Sequence, residues 1–186
     1  TTFFLDHDID TGRIIAQREF PVPDDADVEY VYDGLMQLGA ELCIDTVDLV
    51  LSTGGDVPSQ PQQESEAHHV APKIFKETCV IDFSLSAKHI YDFVRGLSPV
   101  PGAWCMLTPR DAQAKAQVLK VYKAAKTSES SNGVEVGTLK AENRRLLVAT
   151  VDEWLELVEL QPAGKKRMAA RDYLNGFQHP EDFLLK

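Results

Sequence analysis

The sequence predicts an α+β protein in two units joined by a linker, and three observations predict it. Two β-like runs, Thr1–Leu5 and Ile14–Phe20, precede one long helix-period stretch that ends at Gly54-Gly55. Residues 54–71 then turn to Gly, Pro, Gln, Ser and Glu. Beyond Pro72 come a helical stretch and five short β-like runs, separated by Gly and polar turns. The expected boundaries are 1–53, a linker over 54–71, and 72–186.

The first unit is read from its turn. Residues 2–5 and 14–20 form strands joined by Asp6-His7-Asp8-Ile9-Asp10-Thr11-Gly12. Asp-Thr-Gly is turn chemistry, with Asp capping its own backbone and Gly12 able to take a positive φ. A carboxylate exposed at a strand end is also where α/β enzymes place reacting groups. Pro21-Val22-Pro23 stops the second strand. Asp24-Asp25-Ala26-Asp27 starts a helix, because acids meet the positive end of its dipole. Val31, Leu35, Leu38, Leu42 and Leu49 recur at helical spacing and predict one face packed on a sheet, widened by Val47, Val50 and Leu51. Gly34 and Gly39 each cost about 1 kcal/mol relative to Ala inside a helix, which close packing would offset.

The linker lacks the apolar residues for a core and is expected to wrap along the surface. His68-His69 within it reads as polar loop, because adjacent side chains on an extended chain point apart. In the second unit Ser86 is an N-cap for a helix through Leu97, with Ile90, Phe93, Val94 and Leu97 on its apolar face. Strands are expected over Trp104–Leu107, Val118–Ala125, Val136–Ala141, Leu146–Thr150 and Trp154–Leu160. Five strands of that length suggest an OB-like five-stranded β-barrel. Trp104 and Trp154 are expected in its core, and a short helix over about 169–176 precedes the tail.

Composition narrows the function. The 186 residues are 44% hydrophobic, and no run approaches the ~20 apolar residues of a membrane span. No basic-apolar targeting segment opens the chain, and Thr1 already lies inside a β pattern, as in a fragment. Cys43, Cys79 and Cys105 are odd in number and far apart, so buried free thiols in a reducing cytoplasm are expected, with neither disulfides nor a metal. The net charge of −10 is uneven: −13 over residues 1–70 and +3 over 71–186. Only the second unit suits a polyanion.

Three motifs carry a resemblance to a known family. Thr1-Thr2-Phe3-Phe4-Leu5-Asp6-His7-Asp8-Ile9-Asp10-Thr11-Gly12-Arg13-Ile14-Ile15 resembles the folate-dependent formyltransferases, in which such a loop closes the folate site. Arg95-Gly96-Leu97-Ser98-Pro99-Val100-Pro101-Gly102-Ala103-Trp104 and Leu160-Gln161-Pro162-Ala163-Gly164-Lys165-Lys166-Arg167-Met168 are similar to landmarks of the branch that acts on methionyl-tRNA. The resemblance implies that residues 1–53 are the end of a Rossmann-like catalytic domain and that 72–186 form a tRNA-binding domain. It implies formyl transfer from 10-formyltetrahydrofolate to the amino group of initiator methionyl-tRNA by a cytoplasmic monomer. Asp10 aligns with the Asp that holds and polarises a catalytic His, and the peptide groups of Asp6, His7, Asp8, Ile9 and Asp10 would line the folate pocket. The family's Asn-x-His pair does not occur in this chain, which is therefore expected to be inactive alone. Lys73, Lys76, Arg144, Arg145, Lys165, Lys166 and Arg167 are candidate RNA contacts, each a solvated turn residue by itself and a phosphate-binding edge as a set. An amino-sugar formyltransferase, a formyltetrahydrofolate hydrolase domain and a noncatalytic RNA-binding module remain open as alternatives.

Overall fold

The computed structural model describes residues 1–62, 71–111 and 114–186, and His68-His69 lies outside them. The chain divides into two compact units, Thr1–Pro72 and Lys73–Lys186.

In the first unit β1 (Thr2–Phe3) pairs antiparallel with β2 (Ile14–Ala16). Both are shorter than the residue pattern predicts. A register shift at Thr2/Phe3 breaks the ladder early, and Leu5 lies exposed. Ile14 also exchanges backbone hydrogen bonds with Gln60, at 2.8 and 2.9 Å, so the expected linker adds an edge to β2. That stretch buries Val57, a contribution its polar composition hides.

Helix α1 spans Val28–Ser52. Asp27 caps it, its carboxylate accepting the Tyr30 N–H at 3.0 Å, and Gly54 and Gly55 end it with positive φ. Leu42 is buried and Val31, Leu38 and Leu49 are half-buried, as expected for one face. Leu35, Val47 and Leu51 are exposed instead, because two strands of two and three residues cover only a narrow stripe of a 25-residue helix. Cys43 is likewise exposed, whereas Cys79 and Cys105 are buried. Gly34 is a packing glycine: a Cβ there would stand 2.0 Å from the Phe20 ring. Gly39 has open space around it.

The second unit is a nearly closed, barrel-like antiparallel sheet. Its strands are β3 (Ala103–Pro109), β4 (Gln117–Ser130), β5 (Leu139–Glu142), β6 (Arg145–Ala149), β7 (Glu153–Pro162), β8 (Met168–Ala169) and β9 (Phe183–Leu185). The order is β5-β6-β7-β4-β3-β9, with β8 beside β7. All five expected strands are present, and β8 and β9 add two that are too short to show a period. Helix α2 (Ala87–Gly96) starts at Ser86, whose hydroxyl accepts the His89 N–H, and packs on β4 and β7. The last helix, α3, is a single turn over Ala170–Tyr173.

Alternation explains the core. Inward residues of the strands meet Ile90 and Val94 of α2, and Leu119, Val121, Leu146, Leu155, Leu157 and Leu160 are each at most 1% exposed. Each fully buried aliphatic side chain contributes about 1.5–3 kcal/mol relative to exposure. Trp154 is buried in a second, smaller cluster with Leu147 and Ala149. Trp104, expected in the core, is only half-buried, and its indole N–H donates to the Lys76 carbonyl at 2.9 Å.

The ends of the sheet meet through the C-terminus. β9 pairs with β3, and Thr138 bridges to Leu184 just before β5. The Leu185 N–H donates to Gly137 O at 2.9 Å. Arg110 fastens the same seam, reaching the Glu135 carboxylate at 2.8 Å, the Thr138 hydroxyl at 3.1 Å and the Glu181 carbonyl at 3.1 Å. A Cβ on Gly137 would stand 2.2 Å from Leu185 O, and its φ is +83°. Gly137→Ala is therefore expected to destabilise the protein by about 2–4 kcal/mol. An unchanged urea midpoint would remove the seam from the account.

Asp152 ties α2 to the β6–β7 turn. Its carboxylate accepts the Ala87 N–H at 2.9 Å, the Thr150 hydroxyl at 2.8 Å and the Glu153 N–H at 2.8 Å. The bond from Ala87 is the largest cause of a carboxyl pKa below the ordinary range, while burial opposes it and Thr150 adds to it. A depressed folded pKa gives stability that is present above the unfolded value of about 3.9 and lost as pH falls through the folded one. Asp152→Asn should flatten that acid limb, measured as Tm against pH between about 2 and 5. An identical acid limb in the variant would assign the loss to other carboxylates.

Candidate functional site

Each unit carries one candidate site. In the first, Asp6, His7, Asp8, Ile9 and Asp10 are all exposed, and with Phe3 and Leu5 they line an open depression of about 240 Å³. The left-handed residue of the turn is Asp10, at φ +60°, and not Gly12. Asp tolerates that region because its short polar side chain bonds locally. Gly12 is required for a different reason: a Cβ would stand 1.5 Å from Phe4 O.

The loop is clasped from outside. Gln62 donates through its amide to Asp10 O at 2.7 Å and to Gly12 O at 2.8 Å. Thr11 donates its hydroxyl to Asp8 O at 3.1 Å, and Asp6 accepts the His7 N–H at 2.7 Å. The result is a held, solvent-facing carboxylate beside a row of peptide groups. Such a carboxylate can orient a cationic or proton-bearing partner. Gln62 carries no signal in the sequence, because a glutamine 50 residues from its acceptor has no local pattern.

In the second unit the sheet register gathers part of the basic set. Trp104, Lys120 and Gln161 are direct partners across β3, β4 and β7, so they share one outward face. Tyr122, two residues along β4, shares it too. Lys76 lies over the Trp104 ring at 5.6 Å, and Arg167 over the Tyr122 ring at 4.5 Å. Tyr122 donates its hydroxyl to Gln161 Oε1 at 2.9 Å, and the Gln161 amide donates to Lys165 O at 2.8 Å. Gln161 thereby fixes the turn that presents Lys165 and Lys166, both exposed, with Gly164 at φ +72°. Arg167 is also paired with Glu159 at 2.6 Å, so much of its charge is balanced within the fold.

Lys120 and Tyr122 alternate along β4 with buried Leu119 and Val121, which makes them legible as outward residues. The remaining candidates lie apart from that row. Lys73 is exposed over the Phe75 ring, at 5.5 Å. Arg144 and Arg145 sit at the β5–β6 turn, far along the sheet from β3. Arg145 is paired with Glu129 at 3.0 Å and Glu156 at 3.8 Å. Its bond to Glu129 raises its own pKa and holds the Glu129 carboxyl below the ordinary range. Among the described residues no helix is long and apolar enough to cross a membrane, and no group of His, Cys, Asp and Glu is placed to hold a metal ion.

Comparison with known proteins adds the following. The family model of the formyl transferase C-terminal domain matches residues 73–178. A methionyl-tRNA formyltransferase of Parabacteroides distasonis is 47% identical over 188 residues, which covers 100% of this chain and 57% of that protein. One from Phocaeicola vulgatus is 45% identical over 184 residues, covering 96% of this chain and 55% of that protein. The chain thus spans little more than half the length of these curated relatives. The crystal structure of HypX from Aquifex aeolicus in complex with tetrahydrofolic acid superposes with a TM-score of 0.60 at 17% identity, covering 95% of this chain and 30% of that one, a likeness of fold.

Proposed function

The chain belongs to the family defined by the formyl transferase C-terminal domain, and from that premise we propose that it is the C-terminal part of a methionyl-tRNA formyltransferase. The observation that carries the reading is the 47% identity to a relative of that name along the whole chain. The whole reaction is attack by the amino group of initiator methionyl-tRNA on the formyl carbon of 10-formyltetrahydrofolate. That attack creates a tetrahedral oxyanion; the amine loses a proton, and collapse of the oxyanion breaks the bond from the formyl carbon to N10, which takes up a proton and leaves as tetrahydrofolate.

On this reading Asp10 orients and charges a histidine that takes part in proton transfer. Its exposure and its clasp by Gln62 support that role. Asp6, His7, Asp8, Ile9 and Asp10 line the folate-facing depression with their peptide groups. The strand pairing over residues 1–16 and helix α1 belong to an α/β catalytic domain, and the barrel of the second unit is of OB type. That barrel contacts tRNA phosphates through the face that carries Lys76, Lys120, Lys165 and Lys166, with Arg167 beside them and Lys73 as a separate contact. Tyr122 and Trp104 support the cations as aromatic platforms.

Two measurements test the reading. In the full-length protein Asp10→Asn should lower turnover by about 100-fold or more with an unchanged Tm, because Asn keeps the left-handed turn and loses the charge. Turnover near that of the unmutated protein would refute the role of Asp10. The present chain should bind tRNA with a salt-dependent affinity and transfer no formyl group alone. Replacing Lys165 and Lys166 by Ala should make the slope of log affinity against log salt shallower by about 1.4–1.8, since each phosphate neutralised contributes roughly 0.7–0.9. An unchanged slope would move the contact surface elsewhere.

A further inference from the structure

A second basic feature lies around the β5–β6 turn, beside β7 and β8. Asn143, Arg144, Arg145, Glu156, Ala169 and Arg171 are among the residues that line a groove of about 530 Å³. Three arginines from two stretches of chain, the β5–β6 turn and the start of α3, line it together with one glutamate. Their roles differ. Arg145 is half-buried and engaged by Glu129 and Glu156, so it forms the wall. Arg144 stands exposed on one rim. Arg171 stands on another, its side chain 71% exposed and its closest carboxylate, Asp172, at 3.9 Å. Ala169, with no side chain beyond Cβ, leaves the floor open between them.

The turn itself is unusual. Asn143 and Arg144 have φ of +52° and +63°, the geometry of a two-residue hairpin turn of mirror type. Glycine is the preferred residue at the second position, and a long β-substituted side chain is strained there. Held strain of this kind collects at ligand-binding positions, where the surroundings over-determine it. Here the strained residue is the exposed cation at the groove's mouth.

We propose that this groove is a second phosphate seat for the RNA, in which Arg144 and Arg171 close on a phosphodiester from opposite rims. The seat rests on the tRNA-binding reading and extends it to a separate contact point. Arginine suits that task because its planar fork meets two phosphate oxygens at once. Asn143 adds an amide donor on the same rim. Arg145 holds the hairpin against β7 through Glu156 and is a positioning residue for Arg144.

The test uses the present chain with Arg144→Gly, Arg171→Ala and the double variant, titrated with labelled tRNA at two salt concentrations. Glycine is at ease in the left-handed turn, so Arg144→Gly should leave Tm unchanged or higher. Any loss of affinity in it cannot then be ascribed to unfolding. Each single variant should bind roughly two- to fivefold more weakly at low salt. The double variant should lose about 1.4–1.8 from the salt slope. Unaltered affinity and slope in the double variant, with the Lys165→Ala, Lys166→Ala variant still weakened, would overturn the seat and leave the tRNA reading standing. No salt-dependent tRNA binding by the unmutated chain would overturn both. Calorimetric binding of inorganic phosphate that depends on Arg144, with tRNA affinity unaltered in the double variant, would overturn the RNA assignment in favour of a free anion.

Discussion

The closure of the second unit's sheet is the constraint on which its other features depend. A sheet with free ends exposes rows of unpaired N–H and C=O groups. Here the last residues of the chain remove that exposure. Phe183, Leu184 and Leu185 pair with Pro109, Thr108 and Leu107, and Lys186 exchanges bonds with Met106 at 2.7 and 3.0 Å. On the other side Leu185 meets Gly137, and Leu184 meets Thr138. Gly137 allows this because no Cβ stands between the two backbones. The seam fixes where β5 begins, β5 pairs with β6 from Leu139 to Val148, and that pairing sets the turn that carries Asn143 and Arg144. A tail of three strand residues therefore positions a basic rim some 40 residues earlier in sequence.

Much of this fold was legible in the residues, and the missing parts share a cause. Strands β4 and β7 are long enough for inward and outward residues to alternate, β6 reads as a short continuous apolar run, and Ser86 and Asp27 announce the helices they cap. Strands of two or three residues have no period to read, so β8 and β9 are invisible even though one of them closes the sheet. Helix α1 fails in the opposite way. It has apolar residues on more than one side, and Leu35, Val47 and Leu51 look the same in the sequence as Leu38, Leu42 and Leu49. Which of them is covered depends on the narrow β1–β2 ribbon and on Phe20 beyond it, which the helix pattern does not show.

The candidate sites divide along a similar line. Residue type and order marked Asp10 as a loop carboxylate, because the loop is local and its chemistry is contiguous. What holds the loop, Gln62, is a long-range partner and leaves no local trace. The glycine of the motif also serves a different purpose from the one its type implies. Gly12 makes room for Phe4 O, and the left-handed bend belongs to Asp10.

Charge is the property for which sequence and structure differ most in content. Counting gives the second half of the chain a balance of +3 and does not say which cations are free to act. The structure sorts them by partner. Arg110 fastens the seam with Glu135, Arg145 is held by Glu129 and Glu156, and Arg167 by Glu159. These arginines work inside the fold, where a rigid fork makes several bonds at once. Lys165, Lys166, Arg144 and Arg171 are exposed at turns or rims, where charge meets solvent and any polyanion that approaches. With a screening length of about 8–10 Å at physiological salt, a polyanion at such a rim responds mainly to the charges within that distance. The −10 of the whole chain therefore does not describe these rims, because the acids that dominate it are concentrated in residues 1–70 and the exposed cations named here all lie in residues 71–186.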